Sequence, residues 1–77
     1  MSAIKPEDWA ERRLELAGWS VRVVSYRLGD TYLCTVDNVD PGARVARGRG
    51  STREEAEGVA IDRAETRLAA TRRRSAS

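Results

Sequence analysis

The chain has no histidine and no phenylalanine, one cysteine and two prolines in 77 residues. Without histidine, the side chain that titrates nearest neutral pH is missing, and general acid–base chemistry would fall to Asp, Glu, Cys or Tyr. A single cysteine, Cys34, excludes a disulfide framework within the chain, and no metal-ligand or cofactor constellation can be assembled around it. No stretch approaches the roughly 20 apolar residues of a membrane helix. The first residues also lack the apolar core of a signal peptide, so a cytoplasmic protein with no membrane contact is expected. Large core candidates are few: Trp9, Leu14, Leu16, Trp19, Leu28, Tyr32, Leu33, Ile61, Leu68 and the valines. The length allows one small domain with a thin core. A monomer and a homodimer are both compatible with it, and dimerisation would bury more surface.

Charge is plentiful and nearly balanced, with fourteen basic and twelve acidic residues and a formal net charge of +2. That balance does not by itself declare a nucleic-acid binder. Thirteen of the basic residues are arginine, which fits GC-rich coding more readily than selection for bidentate contacts. Two arginine clusters lack acidic neighbours, Arg44, Arg47 and Arg49, and then Arg72, Arg73 and Arg74.

Local signals divide the chain into an N-terminal tail (1–5), a single domain (6–71) and a disordered basic tail (72–77). Pro6, Glu7 and Asp8 read as a helix start. Trp9, Ala10, Leu14, Leu16 and Ala17 follow on one side, and Gly18 as the stop, predicting a helix over 6–17. Trp9 and Trp19 then read as anchors of that helix on a sheet. Residues 19–28 favour a strand. The parity change from Val21 and Val23 to Val24, Tyr26 and Leu28 predicts either a bulge or a strand whose two faces are both partly covered. Gly29-Asp30 suits a two-residue hairpin, residues 31–36 a second strand, 37–42 a loop and 43–48 a short third strand. Gly48 and Gly50 read as the release of that strand.

Ser51 and Thr52, each followed three residues later by Glu54 or Glu55, offer two overlapping capping boxes. A helix over 52–71 follows, with Ala56, Ala60, Ala64 and Leu68 as its buried stripe and Gly58 explained by close packing on the sheet. The expected fold is α+β: an α-β-β-β-α two-layer sandwich, a three-stranded antiparallel sheet with both helices on one face.

Catalysis finds little support. A lone strand cysteine is usually a small buried hydrophobe, and Asp37 and Asp40 fit an ordinary turn. Gly48-x-Gly50 lacks the rest of a phosphate-binding fingerprint. A nucleic-acid surface would draw on Arg44, Arg47 and Arg49, extended by Arg12, Arg13, Arg53 and the arginine tail.

The run Gly48-Arg49-Gly50-Ser51-Thr52-Arg53-Glu54-Glu55-Ala56-Glu57, followed by Ala60, Ala64 and Leu68, resembles the double-stranded-RNA-binding domain. The resemblance implies an α-β-β-β-α fold and duplex RNA as ligand. Its three helix-entry lysines correspond to Arg53, Glu54 and Glu57, so two positive charges are reversed where that family meets phosphates. Its Gly-Pro-x-His loop has no counterpart in Leu28-Gly29-Asp30-Thr31. A second likeness, through residues 32–39, Pro41-Gly42 and Gly50-Ser51-Thr52-Arg53-Glu54-Glu55-Ala56, is to HicB-type antitoxins, which implies masking of a small toxin protein. The sequence is therefore read as a non-enzymatic binding or regulatory domain. An unknown protein partner is placed slightly ahead of weak, non-specific nucleic-acid binding.

Overall fold

Leu14 and Leu16 decide the first element. On a helix they would lie about 200° apart and could not share a buried stripe, whereas on a strand they share a face. The structure, a computed structural model that describes residues 6–39 and 42–76 with side chains to residue 70, takes the second solution. Glu7–Leu16 is strand β1, and Leu14 and Leu16 pack into the core. The expected helix over 6–17 is thereby overturned. Gly18 does not stop a helix but shares a two-residue hairpin with Ala17, between the paired Leu16 and Trp19. Their φ angles of 83° and 52° match a type I′ turn.

Strands β2 (Trp19–Leu28), β3 (Thr31–Asn38) and β4 (Arg44–Gly50) precede a single helix, α1 (Arg53–Ala76). The sheet is an antiparallel meander in the order β1-β2-β3-β4. The α-β-β-β-α sandwich with a three-stranded sheet and two helices is thus corrected to β-β-β-β-α, four strands with one helix. The tail expected at 1–5 and the loop residues 40 and 41 lie outside the described residues. The tail expected at 72–77 overlaps the end of α1, and its side chains lie outside them too.

The parity change in β2 reflects partial burial on the face that no helix covers, where Val24 is 9 % exposed and Tyr26 lies under Trp9. β2 pairs with β3 without a register shift, and the bulge sits instead in β1, between Glu7 and Ala10. Asp8 occupies it with a φ of 56°, a conformation that Asp tolerates better than most residues. Gly29, at φ 60°, opens the β2–β3 hairpin as the first central residue of a type II′ turn.

One face of the sheet carries Val21, Val23, Cys34, Val36 and Ala46, and α1 lays Ala56, Ala60, Ala64 and Leu68 on it. The expected stripe is buried throughout, with its three alanines at 0 % exposure. The largest fully buried side chains are valines, so the helix must lie close to fill the space between the layers. Gly48 and Gly50 permit this. Both belong to β4 rather than releasing it. A Cβ on Gly48 would stand 2.7 Å from the Ala60 backbone nitrogen, and one on Gly50 2.6 Å from Glu55 Cγ. Close packing was expected of Gly58, yet a Cβ there would meet nothing within 4 Å.

The helix start resolves into one cap. Thr52 Oγ1 accepts from the Glu55 N–H at 3.1 Å, while the Glu55 carboxylate accepts from the Ser51 N–H at 2.7 Å and its hydroxyl at 3.0 Å. Those two bonds, the backbone one foremost, hold the Glu55 carboxyl below its ordinary range. Farther along, Arg63 donates to the Arg47 carbonyl and Arg67 to the Val45 carbonyl. Two guanidiniums therefore cover acceptors on the outer edge of β4, one of the ways in which exposed sheet edges are blunted.

Candidate functional site

Because α1 occupies one face only, the alternate residues of each strand form a second, uncovered face. Strand register places them in rows. Arg13, Arg22, Asp37 and Arg44 form one row; Glu11, Val24, Thr35 and Arg47 form the next. In the third row Tyr26, Leu33 and Arg49 follow Trp9, which the β1 bulge carries over Tyr26. The two rings stack with centroids 5.2 Å apart and planes inclined by 14°. Trp9 is nevertheless 60 % exposed. With one ring face against Tyr26, the indole turns the other to solvent. The rows line a shallow, open concavity of about 500 Å³.

The charges on this face are uneven. Arg44 pairs with Asp37 at 3.4 Å and Arg22 reaches Glu11 at 3.9 Å. Both pairs are exposed enough for water to screen them. Arg13, Arg47 and Arg49 have no ion-pair partner among the described residues. On the opposite side of the molecule, Glu54, Asp62 and Glu65 stand on exposed positions of α1.

The six arginines singled out from the sequence are thus divided. Arg13, Arg44, Arg47 and Arg49 share the uncovered face. Arg12 is on the α1 side, where its guanidinium donates to Glu57 at 2.9 Å and the Ser25 hydroxyl donates to the same carboxylate at 3.1 Å. Arg53 lies over the Tyr32 ring, 5.5 Å from its centroid, and donates to the Asp8 carbonyl. The Asp8 carboxylate in turn accepts from Arg27 at 3.1 Å. Arg12 and Arg53 thus fasten β1 and α1 to the sheet, on the side away from the uncovered face.

That arrangement also settles the helix entry. Of the three positions matching the duplex-RNA lysines, Arg53 is engaged, Glu54 is exposed and acidic, and Glu57 faces the sheet. The Glu57 carboxylate is thereby engaged by Arg12 and Ser25.

Trp9, Leu33 and Arg22 were missed as site residues. Trp9 and Trp19, expected to anchor a first helix, have separate roles: Trp9 on the uncovered face, Trp19 half-buried against the core. The signal that could have found the site is the two-residue spacing of Glu11, Arg13 and Glu15 against Leu14 and Leu16, which assigns Trp9 to the polar face once β1 is a strand.

Cys34 is buried beneath α1, and that burial, with Glu57 nearby, pushes its thiol up to about 11 against a small opposing effect of Arg12. It stays protonated at neutral pH and is a poor nucleophile. Among the described residues no cluster of His, Cys, Asp or Glu could hold a metal ion, and no helix is long and apolar enough to cross a membrane. No family model, curated protein or solved structure matches the chain. The likenesses to double-stranded-RNA-binding domains and HicB-type antitoxins therefore rest only on the residues quoted for them.

Proposed function

We propose that the chain is a non-enzymatic nucleic-acid-binding module that uses the uncovered face of its sheet. The observation that carries this reading is the set Arg13, Arg47 and Arg49, without acidic partners among the described residues, on a face opposite the exposed acids of α1. A face of this kind attracts a polyanion by releasing its counterions, whatever the sequence of the polyanion. The charge reversal at the helix entry does not oppose it, because Glu54 and Glu57 belong to the other side of the molecule.

The test is titration with mixed-sequence oligonucleotides at several salt concentrations. Binding should weaken linearly on a log–log scale. Replacing Arg47 and Arg49 together by Ala should flatten the slope by about 1.4 to 1.8, the value for two phosphate contacts. Absence of binding at low salt by the natural chain would sink the reading.

A protein partner is the second reading, and the apolar row of Trp9, Tyr26 and Leu33 favours it. A stable protein contact through that row would bury Trp9 and depend little on salt. Sedimentation and a salt series with the natural chain and Trp9→Ala separate the two.

A further inference from the structure

From the Trp9–Tyr26 stack and its place beside Arg49 and Arg47, we infer that the ligand of this face is a single-stranded polynucleotide, read by base stacking. The inference rests on the nucleic-acid reading above and names the ligand class within it.

The geometry has two parts. Trp9 and Tyr26 are parallel within 14°, and Trp9 remains 60 % exposed, so the pair is an unfinished stack that a third aromatic plane can extend. Unpaired bases supply such planes. In a duplex the base faces are already covered by their neighbours, and only the ends could use the platform. Leu33 lies beside Tyr26 in the same row and widens the apolar floor without closing it.

The second part is the cationic rail. Arg49 ends the aromatic row across from Leu33, and Arg47 ends the next row across from Thr35. Two residues of strand separate them, about 7 Å along β4. Bases laid on Trp9 and Tyr26 would therefore place their phosphates toward β4. Gly48, between these arginines, and Gly50, just beyond them, face α1, so nothing on the ligand side interrupts the rail. Stacking tolerates any base, because every base has a π-face. The preference implied is for unpaired nucleic acid rather than for a sequence.

The experiment uses the full chain and three probes of equal length at low salt: oligo-dT, oligo-U and a blunt DNA duplex. Affinities are read by fluorescence anisotropy, and the two indole N–H signals by NMR. The single strands should bind at least about tenfold tighter than the duplex, with the Trp9 indole signal shifting and the Trp19 signal remaining in place. Trp9→Ala should weaken single-strand binding by about 5- to 100-fold, the usual effect of removing one stacking platform, and leave duplex binding unchanged. Trp9→Phe should restore most of the loss, which excludes a folding defect as its cause. Equal affinity for duplex and single strand, with Trp9→Ala silent, would overturn base stacking while leaving the nucleic-acid reading intact. No binding of any probe would overturn both.

Discussion

Adding one methyl group at either of two glycines should change stability in opposite directions. At Gly48 the new Cβ would lie 2.7 Å from the Ala60 nitrogen and 2.9 Å from Val59 Cβ and Cγ1. Relaxed contacts begin near 3.5 Å, so α1 would have to retreat by roughly 0.8 Å. It cannot do so at Ala60 alone, because Ala56 and Ala64 are fully buried on the same stripe. Overpacking of this kind destabilises by about 1–3 kcal/mol, offset by about 0.5–1 kcal/mol from replacing a strand glycine by alanine. The net expectation for Gly48→Ala is a loss of up to about 2.5 kcal/mol, the difference of those ranges. At Gly58 a Cβ meets nothing within 4 Å, so Gly58→Ala should stabilise by about 1 kcal/mol through helix propensity. For a domain of this size each kcal/mol moves Tm by about 4–8 °C. Thermal unfolding followed by far-UV circular dichroism should therefore show a fall of up to about 20 °C for the first variant and a rise of about 4–8 °C for the second. A Gly48→Ala that stabilises as Gly58→Ala does would refute the close approach of α1 to β4.

Other consequences are open to similar measurement. Glu57→Lys should destabilise far more than Glu57→Gln, since it sets a second cation against Arg12 and removes the acceptor of the buried Ser25 hydroxyl. An Arg12–Glu57 double-mutant cycle should still give a coupling below about 1 kcal/mol, because Arg12 is largely exposed. Glu55→Gln should lower Tm at neutral pH. The folded-state value of Glu55 is depressed, so its stabilisation is present above the unfolded value of about 4.3 and disappears as pH falls through the folded one; the two melting curves should converge in acid. Native Cys34 should react with a thiol reagent far more slowly than the unfolded chain. Its raised value also adds stability that is full below the unfolded thiol value of about 8.5 and declines as pH rises toward 11. Rapid labelling of the folded protein at neutral pH would contradict the burial.

The parts of the fold legible in the sequence are those fixed by near neighbours. Thr52 and Glu55 announce a helix within four residues, and Ala56, Ala60, Ala64 and Leu68 state its buried stripe at its own period. β1 was not legible in this way. Pro6, Glu7 and Asp8 are good helix-start residues, and Glu, Arg and Leu are good helix formers, so local propensity pointed away from the strand. What overrides it is tertiary: β2 needs a partner, and the Ala17-Gly18 turn delivers one. The functional face followed the same division. Arg47 and Arg49 stood out by composition, whereas Trp9, Tyr26 and Arg22 become neighbours only when β1 pairs with β2.

The arginines that cover β4 also limit how this sheet can associate. Arg63 and Arg67 occupy carbonyls on one rim. On β1, the opposite rim, Arg53 to Asp8 is the only side-chain hydrogen bond to the backbone among those observed for the described residues. A sheet with one rim stoppered and the other open beyond the β1 bulge can pair with itself once, open rim to open rim, and that pairing consumes both of the edges available. Growth by strand addition ends at two copies, and a fibre has no second rim from which to continue.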